Sequence, residues 1–172
     1  MFLTALKDIK FVFLDVDGVL TDGRILVTET GEQLRTFNIK DGYAIQYAIK
    51  AGLQICILTG GKSLGVQKRF EALGVKEIHL GISDKIAVLE DLQNKYGFQN
   101  QECLFIGDDL PDLTCMQQVG VAVCPADAAE EIKVISHYVS TKSGGEGIVR
   151  EILEKILKLQ GLWHPDTHIK SI

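Results

Sequence analysis

The sequence predicts an α/β fold: a mainly parallel sheet with helices on both faces and a β-hairpin inserted after the first strand. Three observations predict it. Strand-sized apolar runs alternate with helix-periodic segments along the whole chain. The first run, Phe11–Leu14, is apolar at every position, as a strand buried on both faces requires. Carboxylates and a Thr-Gly-Gly turn gather just after these runs, where open parallel sheets bind their ligands.

The elements follow in order. After the first strand, 24–27 and 34–37 flank Glu29-Thr30-Gly31-Glu32, which reads as two short strands around a turn. Asp41-Gly42 opens an apolar-periodic helix over 43–50, stopped by Gly52. A strand over 54–58 is followed by a helix over 63–73 that Gly74 ends. Glu77–Leu80 is a short strand. Ser83 or Asp84 caps a helix that runs to Tyr96 and stops at Gly97. Cys103–Ile106 is a strand, and Pro111 suits the first turn of a short helix. A strand over 121–123, a helix over 127–134 and a strand over 137–139 come next. The closing helix, 146–159, is amphipathic, with apolar residues at 148, 149, 152, 153, 156, 157 and 159. Residues 161–172 have no clear period and are expected to form a mobile tail. With 172 residues and no linker or repeat, the chain is expected to be one domain.

Composition excludes several classes. Hydrophobic residues make up 46 % and charged residues 24 %, so the chain is neither disordered nor of low complexity. The net charge of −5 argues against a nucleic-acid-binding face. It does not argue against an anionic substrate, because a bound divalent cation reverses the local sign. Cys56, Cys103, Cys115 and Cys124 form no CxxC pair and sit in or beside apolar runs, which reads as buried reduced thiols. The first residues lack the pattern of a secretory signal, so a cytoplasmic protein without a membrane role is expected.

Four motifs carry chemistry. The first is Asp15-Val16-Asp17-Gly18-Val19, two carboxylates leaving a strand end before a sharp turn. A calcium loop beginning at Asp15 would need an oxygen ligand at position five and a glutamate at twelve; Val19 and Leu26 stand there. The second is Thr59-Gly60-Gly61, a hydroxyl and backbone N–H groups at a strand-to-helix turn, which suits a phosphate. It is not a nucleotide-binding P-loop, because Cys56 occupies the place of that motif's first glycine. The third is Lys85, near a helix start. The fourth is Gly107-Asp108-Asp109-Leu110-Pro111-Asp112, whose carboxylates are costly unless a hard cation such as Mg²⁺ neutralises them.

In this order and at these strand ends, the four motifs resemble those of the haloacid dehalogenase (HAD) superfamily, which implies a Rossmann-like fold. Four segments, LDVDGVLTDG (14–23), FNIKDGYAI (37–45), IGDDLPDL (106–113) and KSGGEGIVRE (142–151), are similar to the 3-deoxy-D-manno-octulosonate 8-phosphate (KDO 8-phosphate) phosphatases of that superfamily. The resemblance implies a Mg²⁺-dependent phosphatase acting on a sugar-acid phosphate in lipopolysaccharide precursor synthesis. Asp15 is then the nucleophile, Asp17 the general acid and base, and Thr59 and Lys85 ligands of the phosphoryl group. Mg²⁺ is held by Asp15, Asp108 and the backbone carbonyl of Asp17, with Asp109 and Asp112 orienting that shell and Lys85. Asn38, Lys40, Asp41, Gly42, Gly60 and Arg69 contact substrate, and Arg150 anchors the Gly-Gly-x-Gly segment. The resemblance further implies a homotetramer without a separate cap domain, in which hairpin 24–38 helps to cover neighbouring sites. The chain departs from common family residues at Gln46, Gly61 and Glu146, each time lowering positive charge. KDN 9-phosphate, another sugar phosphate, and a non-catalytic oligomerisation module are the alternatives.

Overall fold

The computed structural model describes residues 2–164. Its main sheet has six strands: β1 (Phe11–Leu14), β4 (Gln54–Thr59), β5 (Glu77–Leu80), β6 (Cys103–Ile106), β7 (Val121–Cys124) and β8 (Tyr138–Val139). Their order is β5-β4-β1-β6-β7-β8, and every pair is parallel. The two remaining strands, β2 (Leu26–Val27) and β3 (Gln33–Leu34), form the antiparallel hairpin between β1 and the first long helix.

The apolar runs bury both faces by simple alternation. Val12, Leu14, Ile55, Ile57, Leu104 and Ile106 point to one side. There they meet α2 (Ile39–Lys50), α3 (Leu64–Ala72) and α7 (Ile148–Leu159). Phe11, Phe13, Cys56, Leu58, Cys103 and Phe105 point to the other. They meet α4 (Lys85–Tyr96), α5 (Leu113–Gln118) and α6 (Glu130–Ile135). A four-residue α1 (Phe2–Ala5), not expected from the sequence, precedes β1. All four cysteines are buried and free. No helix among the described residues is long and apolar enough to cross a membrane.

The chain moves outward from β1 to β4 and β5, then crosses to the opposite side of β1 to make β6. The carboxyl end of β1 therefore lies at a switch point, where loops diverge and leave a crevice. Three of the four predicted motifs are the loops directly after β1, β4 and β6, and Lys85 opens the helix after β5.

Several boundaries differ from expectation for local reasons. Helix α2 begins at Ile39 because the Asn38 side chain accepts from the Lys40 N–H at 2.9 Å and caps it. Helix α6 begins at Glu130, not 127, because Asp127 accepts from the Gly144 N–H at 3.0 Å. Helix α7 begins at Ile148 after Gly147, which takes a left-handed conformation. The hairpin ladder is shorter than 24–27 with 34–37, because beyond Leu34 the chain turns inward and Phe37 packs edge-on against Phe70. Of the expected tail, residues up to His164 are docked: Trp163 packs on Tyr47, whose hydroxyl donates to the His164 carbonyl at 2.8 Å. The rest of the tail, from 165, lies outside the described residues.

The segment before α7 closes over the β1 loop. The Gly145 N–H donates to the Val19 carbonyl at 2.9 Å. A Cβ on Gly144 would stand 2.0 Å from the Gly18 carbonyl oxygen and 2.7 Å from that of Thr21. Both obstacles are backbone, so neither can swing aside. Gly144→Ala should therefore destabilise the fold by about 2 kcal/mol or more and lower the thermal midpoint by roughly 4–8 °C. Scanning calorimetry checks this, and an unchanged midpoint would show that the two loops do not pack this closely.

Candidate active site

The β1 loop continues the sheet by one bond, from the Asp15 N–H to the Ile106 carbonyl at 3.1 Å. This places Asp15 at the edge of the crevice between β4 and β6, with its carboxylate buried. The chain then reverses. Gly18 has φ +93°, and a Cβ there would stand 2.0 Å from Asp108 Oδ2. Both conformation and space demand glycine at this point. Buried Thr21 ties the turn together. Its hydroxyl donates to the Val16 carbonyl at 3.3 Å and accepts from the N–H groups of Gly18 and Gly23 at 3.3 and 3.2 Å.

Lys85, the first residue of α4, reaches into this loop. Its Nζ donates to Asp15 Oδ1 at 2.6 Å and to Asp112 Oδ1 at 2.7 Å. The other Asp112 oxygen accepts from the Asp108 N–H at 3.1 Å. Asp112 thus holds both the lysine and the loop that carries Asp108. Asp109 does something else: it is exposed, and its Oδ1 accepts from the Leu110 N–H at 2.8 Å, capping the short Leu110–Asp112 turn. Buried Thr59 accepts from the Gly61 N–H at 3.1 Å, which leaves its hydroxyl proton free to point at a ligand.

Carboxylate oxygens of Asp15, Asp108 and Asp112 lie within 4.8 Å of one another. Three carboxylates face one ammonium in a largely buried space. Burial, then the charges of Asp15 and Asp112, push the Asp108 carboxyl up to about 8. Burial and Asp112 push Asp15 up to about 6, against the pull of Lys85. Burial opposes the charge on Lys85, but the two aspartates more than offset it, and its pKa rises. One ammonium does not balance three carboxylates, and the site's ligand atoms are hard oxygens. Both features fit a divalent cation such as Mg²⁺.

The remaining predicted residues lie around this point. The Asn38 amide donates to the Gly145 carbonyl at 3.1 Å, joining α2 to the closing loop. Lys40 is exposed. Gly42 leaves room for the Arg69 guanidinium, which a Cβ would meet at 2.5 Å. Gly60 is exposed beside Thr59. Arg150 is paired with Glu154 at 2.7 Å and lies over the rings of Trp163 and Tyr43. Asp41 is buried, and its Oδ1 accepts from the Arg150 N–H at 2.7 Å, so it caps α7 from outside.

Sequence reasoning missed Arg35. Its Nε donates to Asp17 Oδ1 at 2.6 Å and its Nη2 to Asp17 Oδ2 at 3.1 Å. The signal was the two-residue alternation in Leu34-Arg35-Thr36-Phe37: if Phe37 turns inward, so does Arg35. Arg35, Phe37, Lys62, Ser63, Val66 and Arg69 line an open cavity of about 700 Å³ between the hairpin and α3.

A buried carboxylate at the end of the central strand, held by a lysine and surrounded by oxygen donors for a cation, defines a haloacid dehalogenase-like hydrolase. Residues 77–152 match the haloacid dehalogenase-like hydrolase family. The 3-deoxy-D-manno-octulosonate 8-phosphate phosphatase of Salmonella typhi is 37 % identical over 159 residues, 92 % of this chain and 85 % of the relative. The corresponding phosphatase from Moraxella catarrhalis, solved with magnesium, phosphate and KDO, superimposes with a TM-score of 0.90 at 37 % identity, covering 93 % of this chain and 92 % of that one. That of Yersinia pestis gives 0.91 at 35 % identity, over 94 % and 87 %. The chain belongs to the 3-deoxy-D-manno-octulosonate 8-phosphate phosphatase family.

Asp41 supplies a test of how tightly this region is packed. Its second oxygen, Oδ2, is buried without a hydrogen-bond partner. Burial raises its pKa from an ordinary 3.8 to about 6. The folded chain therefore binds this proton more tightly than the unfolded chain does. The stabilisation is complete below the unfolded value and is lost as pH rises through about 6. Asp41→Asn is neutral throughout and keeps an acceptor for Arg150. Between pH 4 and pH 8, the unfolding free energy of the variant should gain on that of the wild type by on the order of 2–3 kcal/mol. Urea titrations across that range check it, and parallel pH curves would show Asp41 to be solvated.

Proposed function

We propose that this chain is a Mg²⁺-dependent phosphatase that hydrolyses KDO 8-phosphate to KDO and phosphate through an aspartyl-phosphate. The observation that carries the reading is the Lys85 bridge from Asp15 to Asp112, with the Asp108 carboxylate in the same cluster. Asp15, Asp108 and the backbone carbonyl of Asp17 would hold the cation. When bound, it neutralises carboxylate and phosphoryl oxygens, so that one anion can approach another.

The chain's own residues do the rest. Asp15 attacks phosphorus as the bond to the sugar oxygen breaks, and Asp17 gives that oxygen its proton. Asp17 then takes a proton from the water that attacks the aspartyl-phosphate, which releases phosphate and restores Asp15. Lys85, the Thr59 hydroxyl and the backbone at Gly60 hold the phosphoryl oxygens. Lys85 also keeps Asp15 ionised and aimed. Arg69 and Lys62, in the cavity beside the hairpin, supply positive charge for a sugar-acid carboxylate.

The exposed apolar side chains of the hairpin support assembly into a tetramer. Leu26, Val27 and Leu34 are 68, 62 and 47 % exposed. In such an assembly the hairpin of one subunit would cover the site of a neighbour. The setting is lipopolysaccharide precursor synthesis in the cytoplasm.

Two measurements test the reading. Asp15→Asn should reduce turnover by at least about 10⁴-fold while the protein stays folded, since it removes the nucleophile rather than a helper. EDTA should stop hydrolysis and Mg²⁺ restore it. Phosphate release from KDO 8-phosphate, KDN 9-phosphate and hexose phosphates, compared as kcat/KM with the solution mass measured alongside, should favour KDO 8-phosphate in a tetramer. Preference for another ester would overturn the substrate assignment, and no release from any of them would overturn the activity.

A further inference from the structure

We propose that Arg35, carried by the hairpin, is a positioning residue for Asp17, and that Gly61 lacks a side chain so that Arg35 can reach it. The inference rests on the acid–base role given to Asp17 above and adds to it how that carboxylate is held.

Asp17 leaves the β1 loop without a partner on its own element. Its neighbours Asp15 and Asp112 are taken up by Lys85. Both of its oxygens are instead gripped by one guanidinium, at 2.6 Å from Nε and 3.1 Å from Nη2. A paired grip of this kind is made by an ionised carboxylate, the form that takes the proton of the attacking water, and it fixes the plane of the group as well as its place. The Arg35 side chain is only 4 % exposed, against 31 % for that of Asp17. The pair is therefore partly shielded from solvent on the Arg35 side. Arg35 is itself restrained, since its Nη1 donates to the Gln33 carbonyl at 3.2 Å. The guanidinium thus bridges the hairpin backbone and the catalytic loop.

Space at this point is limited. A Cβ on Gly61 would lie 3.2 Å from Arg35 Nη2, 3.4 Å from Asp17 Oδ2 and 3.5 Å from Thr59 Oγ1. One carbon would crowd the pair, and a branched side chain would displace the guanidinium. The hairpin has only two ladder pairs of its own, Leu26 with Leu34 and Val27 with Gln33. Its end next to the site is secured by Arg35 on Asp17 and Phe37 on Phe70. A rearrangement of the hairpin therefore moves the group that transfers the proton, whereas Asp15 and Lys85 stay anchored to the main sheet.

The experiment compares wild type, Arg35→Leu, Arg35→Lys and Gly61→Val, each alone and with Asp17→Asn, on p-nitrophenyl phosphate and on KDO 8-phosphate at saturating Mg²⁺. Arg35→Leu should lower kcat by roughly 10- to 100-fold with KM changed less than about threefold, the cost of a misplaced proton-transfer group. Arg35→Lys should recover part of the loss, because it keeps the charge but not the paired geometry. Gly61→Val should mimic Arg35→Leu by a separate route. In the Asp17→Asn background none of the three changes should reduce the residual rate further.

Losses that multiply in that background would overturn the proposal, since Arg35 would then act independently of Asp17. A loss confined to KM would overturn it in favour of direct substrate binding, and unchanged kinetics would overturn it outright. A wild type inactive on both esters removes the phosphatase reading and this inference with it. An active wild type with unaffected variants removes only the inference.

Discussion

The ammonium of Lys85 between Asp15 and Asp112 is the contact on which the site depends. It joins three segments far apart in sequence: the loop after β1, the start of α4 and the turn after β6. Two carboxylates this close in a buried space repel each other, and their desolvation is costly. One shared cation resolves part of that cost and gives the cluster a single geometry. It leaves the Asp108 carboxyl pushed up to about 8, by burial first and by its acidic neighbours second. This residual strain is the local form of the site's demand for a divalent cation. The same charges that repel one another make the cluster a strong ligand set.

Around that contact, steric limits do as much as attraction. The Asp108 carboxylate occupies the space beside Gly18 that a side chain would fill, and the segment before α7 lies directly on the carbonyl of the same residue. Asp127 and the Asn38 amide bond to that segment from two other elements. The loop bearing Asp15 and Asp17 is thus packed against the Asp108 carboxylate and against a backbone segment that is itself held from two other elements. A carboxylate held this way needs little reorganisation when charge moves nearby.

Strand positions, both helix-covered faces and the four strand-end motifs were legible because each is a local pattern. Phe11 to Leu14 shows its double burial residue by residue, and Asp15-Val16-Asp17-Gly18 shows its turn. Asp112 could be read as a partner of Lys85 only through a family likeness, but its bonds bear that pairing out, whereas the carboxylate of neighbouring Asp109 caps its own turn. The distinction depends on where one short 3₁₀ turn points its side chains, which no spacing rule supplies. Asp127 and Gly147 shifted two helix starts for a similar reason: a tertiary hydrogen bond in one case and a left-handed glycine in the other. Asn38 carries a legible signal of the local kind, since asparagine before an apolar-periodic stretch is an ordinary helix cap.

The hairpin shows why Asp15 and Asp17 need not share one support. Asp15, Lys85 and Asp112 follow elements of a sheet whose strands are buried on both faces, so their relative positions are as rigid as the core. Asp17 points the other way, toward a two-stranded ribbon that is exposed along most of its length and fastened at one end by Arg35 and Phe37. Two-stranded ribbons have little stability of their own, so what packs on their outer face sets how well their inner face is ordered. The apolar side chains on this hairpin make a protein surface the natural covering. The geometry of Asp15 and Lys85 thus comes from the fold of one chain, whereas the alignment of Asp17 depends on the ribbon and on whatever packs against it.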